Sequence, residues 1–239
     1  MSLFLSQYLG IGLIAAEAMA VEKSTVSIDF FQNVDDEDTS IVEDKVDDSK
    51  VTYGNVPSWI FSRGFTKETL NKWNCGYASN GNLAIPIYNT ILQIVGLIHR
   101  QPVGREPRYL YSKGTHTSQV VFGLHNIIGK KLDFVCITEG ALDTMWLDQY
   151  DFNSVALLGS HLSQHQKKLL VKINCAELVL CFDNDDAGRQ ISYDVEKEMK
   201  DKFVISTIQL PDRYKDVQDI RDKETLCSII HDRRIFQEA

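Results

Sequence analysis

Short apolar runs separated by helix-like stretches dominate the second half of the chain. Residues 134–138, 154–158, 177–182 and 203–209 have the length and aliphatic character of buried strands, and 141–150, 163–172 and 186–201 between them read as helices. Alternation of this kind calls for a parallel sheet with right-handed crossovers. The first half reads differently. Residues 66–73 suit a short helix behind a polar N-cap, and 83–88 with 92–99 around Asn89-Thr90 predict a hairpin. Further strand is expected at 108–112 and 119–123, with a helix after Gly123. The chain is therefore expected to be α/β. A small mixed α/β subdomain spans 53–131 and ends at Gly129-Lys130-Lys131; a second, parallel-sheet subdomain spans 132–239 and closes on a C-terminal helix. Ahead of both, residues 1–32 form an apolar segment expected to be helical, and 33–52 an acidic, solvated linker.

Two of the buried-strand runs stop abruptly in carboxylates and glycine. Val135-Cys136-Ile137-Thr138 ends at Glu139-Gly140, and Leu178-Val179-Leu180-Cys181-Phe182 ends at Asp183-Asn184-Asp185. In an open α/β sheet, ligands gather beyond the carboxyl ends of the strands. Asp183 and Asp185 are two apart, so in extended chain their side chains leave the same face. Glu139 from a neighbouring strand would complete an acidic pocket, and carboxylates so close repel unless a proton or cation relieves them. Hard oxygen ligands suit Mg²⁺ or Mn²⁺. The competing reading is turn formation and helix capping, for which Asp and Gly are equally suited.

Charge sharpens this division of labour. The net charge of −8 sits in the first fifty residues, which hold 11 acids against 3 bases. Residues 60–131 carry 9 bases and 2 acids, whereas 132–239 carry 13 bases and 20 acids. A basic segment able to grip phosphates thus precedes an acidic one able to hold metal. The five cysteines, at 75, 136, 175, 181 and 227, never form Cys-x-x-Cys, which speaks for a reducing cytoplasm and against structural zinc. His161 and His165 are better read as surface residues near a helix start capped by Ser163 than as ligands. The apolar run at 3–21 lacks the basic residues that open a signal peptide, and Gln7 and Glu17 oppose a membrane span, so no membrane partner is expected.

Glu139-Gly140-Ala141-Leu142-Asp143, Ala156-Leu157-Leu158-Gly159-Ser160 and Phe182-Asp183-Asn184-Asp185-Asp186-Ala187-Gly188 together resemble a TOPRIM domain. Upstream, Ser62-Arg63-Gly64-Phe65, Cys75-Gly76-Tyr77, Leu83-Ala84-Ile85-Pro86-Ile87, Val95-Gly96-Leu97-Ile98-His99-Arg100, Pro107-Arg108-Tyr109-Leu110 and Val121-Phe122-Gly123-Leu124 follow the order and approximate spacing of the DnaG-type primase core. The resemblance covers roughly residues 53–222. It implies a Rossmann-like TOPRIM sheet preceded by the smaller primase subdomain, and metal-dependent synthesis of RNA primers from ribonucleoside triphosphates on single-stranded DNA. It implies Glu139, Asp183 and Asp185 as catalytic and metal-binding residues, with Asp143, one helical turn beyond Glu139, as a further metal ligand. Lys215-Asp216-Val217-Gln218-Asp219 resembles the family's Lys-Asp-Pro-Asp-Glu segment, which adds Asp216 as a metal contact. Arg63, Arg100, Arg108 and Tyr109 match basic and aromatic positions that handle template or nucleotide, joined here by Lys113 and Lys215. Arginine suits that role because its planar fork binds phosphate oxygens in pairs.

Departures from the family pattern are specific. Tyr111 stands where the family has Asn, Thr117 lies where a Lys is usual, and the first 74 residues contain no cysteine for a template-reading zinc domain. A Gly-x-x-x-x-Gly-Lys-Ser/Thr loop is absent, so no fused helicase is present in the sequence. A replicative helicase or a zinc-bearing primase subunit is accordingly an expected partner, in the cytoplasm of a bacterium or phage-infected host. A TOPRIM nuclease and a non-catalytic subunit that binds single-stranded DNA stand as the alternative readings.

Overall fold

The computed structural model describes residues 46–236, which divide into two compact units at the 116/117 boundary. The expected apolar segment at 1–32 and most of the acidic linker lie outside the described residues. The linker's expected end does not: strand β1 (Val51–Tyr53) begins two residues inside it, with Tyr53 Oη donating to Asp48 Oδ2 at 3.1 Å.

In the first unit β1 is followed by a 3-10 helix (Ser58–Arg63), α1 (Lys67–Lys72), β2 (Gly76–Ala78), β3 (Leu83–Tyr88), β4 (Ile94–Arg100) and β5 (Tyr109–Tyr111). The five strands form one antiparallel sheet in the order β1-β2-β3-β4-β5. Thr66 caps α1 by accepting from the Thr69 backbone N–H, as the polar residue ahead of that helix predicts. β3 is buried along its whole length, which explains its continuous apolar run. The β3–β4 connection is longer than a two-residue turn. The Asn89 side chain accepts from the Ile91 and Gln93 backbone N–H groups and holds Leu92 in the left-handed region at φ 67°.

The second unit contains a 3-10 turn (Thr117–Gln119), α2 (Leu124–Ile127), β6 (Lys131–Thr138), α3 (Ala141–Gln149), β7 (Ser154–Ala156), α4 (Gln164–Val171), β8 (Asn174–Leu180), α5 (Asp186–Met199), β9 (Val204–Thr207), a 3-10 turn (Val217–Asp219), α6 (Lys223–His231) and β10 (Arg234–Ile235). Its sheet runs β10-β9-β8-β6-β7; β6, β7, β8 and β9 are parallel and β10 is antiparallel to β9. The predicted α/β class and strand–helix alternation are present. One main core packs α2, α4 and α5 against the sheet through Leu124, Ile127, Leu169, Leu170, Ile191 and Val195. Leu142, Met145 and Trp146 of α3 are buried outside that cluster, which puts α3 on the other face, as right-handed crossovers of opposite direction require.

The division falls earlier than the expected boundary at 131. Residues 121–127 belong to the second core, and Phe122 exchanges backbone hydrogen bonds of 2.9 Å with Ala156 in an antiparallel bridge. The strand expected at 119–123 is reduced to that one bridge because Thr117–Gln119 turns as a 3-10 helix. Gln166 of α4 explains the turn: its amide donates to the Thr117, Val120 and Leu157 carbonyls, satisfying backbone that a strand would have paired. Ser163 caps α4 in a reciprocal capping box with Gln166, as its position predicted.

Candidate metal centre

From β6 the chain crosses through α3 to β7 on one side, then through α4 to β8 on the other. The gap beyond the carboxyl ends of β6 and β8 is therefore a topological switch point, the place where open α/β sheets bind ligands. Three segments meet there, and each is fixed by its own backbone. Glu139 leaves the end of β6, where Thr138 Oγ1 donates to the Gly140 carbonyl at 3.1 Å and pairs with Thr144 Oγ1 at 2.7 Å. The Glu139 carbonyl accepts from Leu158 N–H at 3.0 Å.

Asp183 and Asp185 leave the end of β8, which stays in register with β6 through Cys181 N–H to the Ile137 carbonyl at 2.8 Å. Asp185 caps α5, its Oδ1 accepting from Gly188 N–H at 3.0 Å. Gly188 is required: a Cβ there would stand 2.0 Å from the Asp183 carbonyl oxygen. The third segment carries Lys215 and Asp216. Its Lys215 carbonyl accepts from Asn184 N–H at 2.7 Å, joining it to the β8 turn. Asp216 Oδ1 and Asp219 Oδ2 fold the segment on itself, accepting from Asp219 N–H at 3.1 Å and Lys215 N–H at 2.8 Å.

The electrostatics of these segments are those of crowded acids. Burial, then repulsion from Asp183 and Asp185, raises the Glu139 carboxyl above its ordinary value, against a lowering pull from Lys215. Burial raises Asp183, and Asp185 and Asp219 add to it, although Lys215 Nζ sits 3.3 Å from its Oδ2 and pulls the other way. Asp216 is raised by burial and by Asp219 and Asp183. Asp143, in the first turn of α3, is pushed up to about 7 by burial and by Asp216, while the Gln218 amide at 2.7 Å opposes the rise. Every predicted acid thus lies within electrostatic reach of another. Among the described residues, no three His, Cys, Asp or Glu side chains stand close enough together to hold a metal ion as placed. The donor chemistry nevertheless fits a hard divalent cation. The acids are all-oxygen ligands, partly buried, and burial together with their mutual repulsion raises Glu139, Asp183 and Asp216.

On the β9 side of Asp183 lies a groove of about 840 Å³ whose walls include Arg189, Tyr193, Arg234 and Phe236. Asp183 is the member of the acidic set that reaches it. No helix among the described residues is long and apolar enough to cross a membrane.

The predicted nucleic-acid residues other than Lys215 belong to the first unit. Arg100 is buried, its Nη1 donating to the Gln101 and Arg108 carbonyls at 2.8 and 3.2 Å, with its guanidinium carbon 4.9 Å from the Tyr109 ring centroid. Burial lowers its pKa; Tyr109 opposes that shift, and Arg63 and Arg108 add to it, so the three guanidiniums share one neighbourhood. Arg108 is exposed beside Glu106 at 3.3 Å, and Lys113 is exposed. Two residues escaped sequence reasoning. Gly188 had a legible signal in the Asp-Ala-Gly that starts α5. Gln218 had one too, standing inside the Lys-Asp-Val-Gln-Asp segment.

Residues 136–221 match the Toprim-like family. The chain is 29% identical over 143 residues to a DNA primase of Buchnera aphidicola, covering 56% of this chain and 25% of that protein. It is 29% identical over 166 residues to an uncharacterized protein of Mycoplasma pneumoniae, covering 66% of this chain and 77% of that protein. A solved DnaG primase catalytic domain bound to single-stranded DNA superposes with TM-score 0.65 at 19% identity, covering 86% of this chain and 79% of that one, which is likeness of fold. The chain spans between a quarter and a third of the length of the primases from Buchnera, Clostridium acetobutylicum and Thermotoga maritima that it matches.

Proposed function

We propose that this chain, a DnaG-type primase core with a Toprim-like module, joins ribonucleotides into short RNA primers on a single-stranded DNA template during DNA replication. The observation that carries the reading is that Glu139 from the end of β6 and Asp183 and Asp185 from the end of β8 leave at one switch point, where the two aspartates add to the rise that burial imposes on the Glu139 carboxyl.

In that reaction a 3′-hydroxyl attacks an α-phosphate and pyrophosphate leaves, so the groups that matter are those that position the reactants and answer developing negative charge. Glu139, Asp183, Asp185 and Asp216 would hold Mg²⁺ or Mn²⁺, with Asp143 behind them. The bound ion supplies charge that eases deprotonation of the hydroxyl and neutralises the leaving group. Glu139, whose carboxyl is raised by burial and its acidic neighbours, would receive the hydroxyl proton on a carboxylate oxygen. Lys215, exposed and held beside Asp183, meets the departing phosphates. Arg63, Arg108 and Lys113 bind template or nucleotide phosphates, Arg100 holds the strand beneath them, and Tyr109 stacks on a base. A replicative helicase or a zinc-bearing subunit supplies template selection, in the cytoplasm of a bacterium or phage-infected host.

Incorporation of labelled ribonucleotides on varied single-stranded templates with Mg²⁺ or Mn²⁺ tests the reading. Extension products that vanish in Glu139→Gln and Asp183→Asn, with folding intact, are expected. Shortened DNA would mark a nuclease. Tight binding without incorporation, even with a helicase or zinc-bearing partner added, would mark a non-catalytic subunit.

A further inference from the structure

The groove on the β9 side of Asp183 carries a cation and a ring on each of two walls, in the same order. On one wall Arg189 and Tyr193 stand four residues apart in α5, so both side chains leave the same helical face. On the other, Arg234 opens β10 and Phe236 follows two residues later, which puts both on one face of the extended chain. The ladder continues that far, because Phe236 N–H donates to the Ile205 carbonyl at 2.8 Å. α5 begins just after Asp185 and runs back along the sheet. β10 begins with Arg234 opposite Thr207, the last residue of β9, and runs antiparallel to that strand. Each wall therefore meets its cation first and its ring second on leaving the Asp183 end. The step is about 6 Å along the helix and about 7 Å along the strand. One ribose spans such a gap between a 5′-phosphate and its base.

The charges agree with that order. Asp183 is the one carboxylate among the described residues of the wall, in a half of the chain where acids outnumber bases 20 to 13. Lys215 stands 3.3 Å from it. Asp186 pairs with Arg189 on the open surface of α5, where such a pair is worth little and leaves the arginine side chain 64% exposed. The volume of about 840 Å³ lies within the about 300–1,000 Å³ typical of small-molecule sites.

We propose that the groove is a subsite for a ribonucleoside 5′-phosphate, with the phosphates between Arg189 and Arg234 and the base between Tyr193 and Phe236. A guanidinium fork binds phosphate oxygens in pairs, and an aromatic ring accepts the face of any base. A free ribonucleoside triphosphate and the 5′-triphosphate end of a short RNA present the same groups. Binding stands on the groove alone; the part it plays in primer synthesis rests on the proposed function.

Photolabelling of the full chain by 8-azido-ATP with Mg²⁺, followed by peptide mapping, tests the site. Label is expected in the peptides that carry Tyr193 or Phe236, and ATP should prevent it. Arg234→Ala and Tyr193→Ala, with circular dichroism to confirm folding, should each weaken protection by ATP about tenfold, and Tyr193→Phe should restore it. Stronger protection by ATP than by a 5′-triphosphorylated diribonucleotide would identify the free nucleotide as occupant; the reverse would identify the RNA end. Label confined to other peptides, or unchanged protection in both folded alanine variants, would overturn the inference. So would protection by inorganic triphosphate or by an oligodeoxyribonucleotide equal to that by ATP. Ribonucleotide incorporation by the wild type, measured alongside, keeps the two readings apart. Primers made without label in the groove sink the subsite alone, and label in the groove without primers sinks the primase reading alone.

Discussion

Lys215 Nζ lies 3.3 Å from Asp183 Oδ2, and it does so from the segment whose carbonyl binds the Asn184 N–H in the turn after β8. The pairing is mutual. Asp183 raises the lysine's value, and the lysine holds back the rise that burial imposes on Asp183. Removing the ammonium takes away the nearest positive charge, so Asp183 should keep its proton to higher pH. In Lys215→Gln the acid limb of the kcat/KM profile for ribonucleotide incorporation should therefore move upward in pH, and the nucleotide KM should rise about tenfold, or about 1.4 kcal/mol of binding. Lys215→Arg should restore most of both. An unshifted acid limb would show that Asp183 does not gate activity.

Asp185 and Gly188 hold the start of α5 from both sides, and they should be separable by mutation. Asp185→Asn keeps a side-chain acceptor for the Gly188 N–H, so the helix should remain capped while primer synthesis is lost. Asp185→Ala should lose activity and also about 1 kcal/mol of stability. Gly188→Ala carries no functional group at all, yet its methyl would be driven into the Asp183 carbonyl. Overpacking of this kind costs about 1–3 kcal/mol, and the relief is available only by moving Asp183. Urea unfolding beside ribonucleotide incorporation should show the Gly188 variant folded but inactive; full activity would mean that the position of Asp183 is not critical.

The elements of the second unit were legible because each has its own period and its own punctuation. Phe182 to Gly188 announces strand end, acids and helix start in seven residues, and Ser163 announces its helix with Gln166 three places on. Residues 117–123 were not legible as they fold. Their backbone is satisfied by Gln166, more than forty residues later, and no local pattern encodes a long-range amide donor. Arg100 has a placement that no local pattern encodes. A strand-end arginine among basic residues reads as a phosphate contact, and the register Arg100↔Tyr109 sets its guanidinium against the Gln101 and Arg108 carbonyls and the Tyr109 ring.

That placement separates two arginines which the sequence treats alike. Arg108 is exposed, so Arg108→Ala should leave stability nearly unchanged, weaken single-stranded DNA binding and reduce the log–log salt slope by about 0.7, one phosphate contact. Arg100→Gln should lose charge-assisted bonds to two carbonyls and cost about 2 kcal/mol of stability. Fluorescence anisotropy across a salt series, paired with thermal unfolding, reads both. Equal stability of the two variants would return Arg100 to the binding surface.

Glu177 and Arg233 form a two-pronged ion pair, with Nε–Oε1 and Nη2–Oε2 both 2.7 Å. The guanidinium carbon also stands 4.4 Å from the Phe134 ring centroid, and Nη1 donates to the Ile230 carbonyl at 3.2 Å. The pair joins the middle of β8 to the second residue after α6, with both side chains mostly buried. The arginine's hydrogen bonds hold the Glu177 carboxyl below its ordinary range. A carboxyl lowered by folding binds fewer protons in the native than in the unfolded chain. Its contribution is therefore complete above the unfolded value, about pH 4, and disappears as pH falls through the native value. Glu177→Gln should cost about 2 kcal/mol at neutral pH. That deficit relative to wild type should shrink steadily below about pH 4, because protonated wild type then resembles the variant. Urea unfolding from pH 7 down to the acid limit of folding measures it, urea being uncharged and so leaving the pair unscreened. A deficit that stays constant across that range would mean that Glu177 contributes through packing and not through its charge.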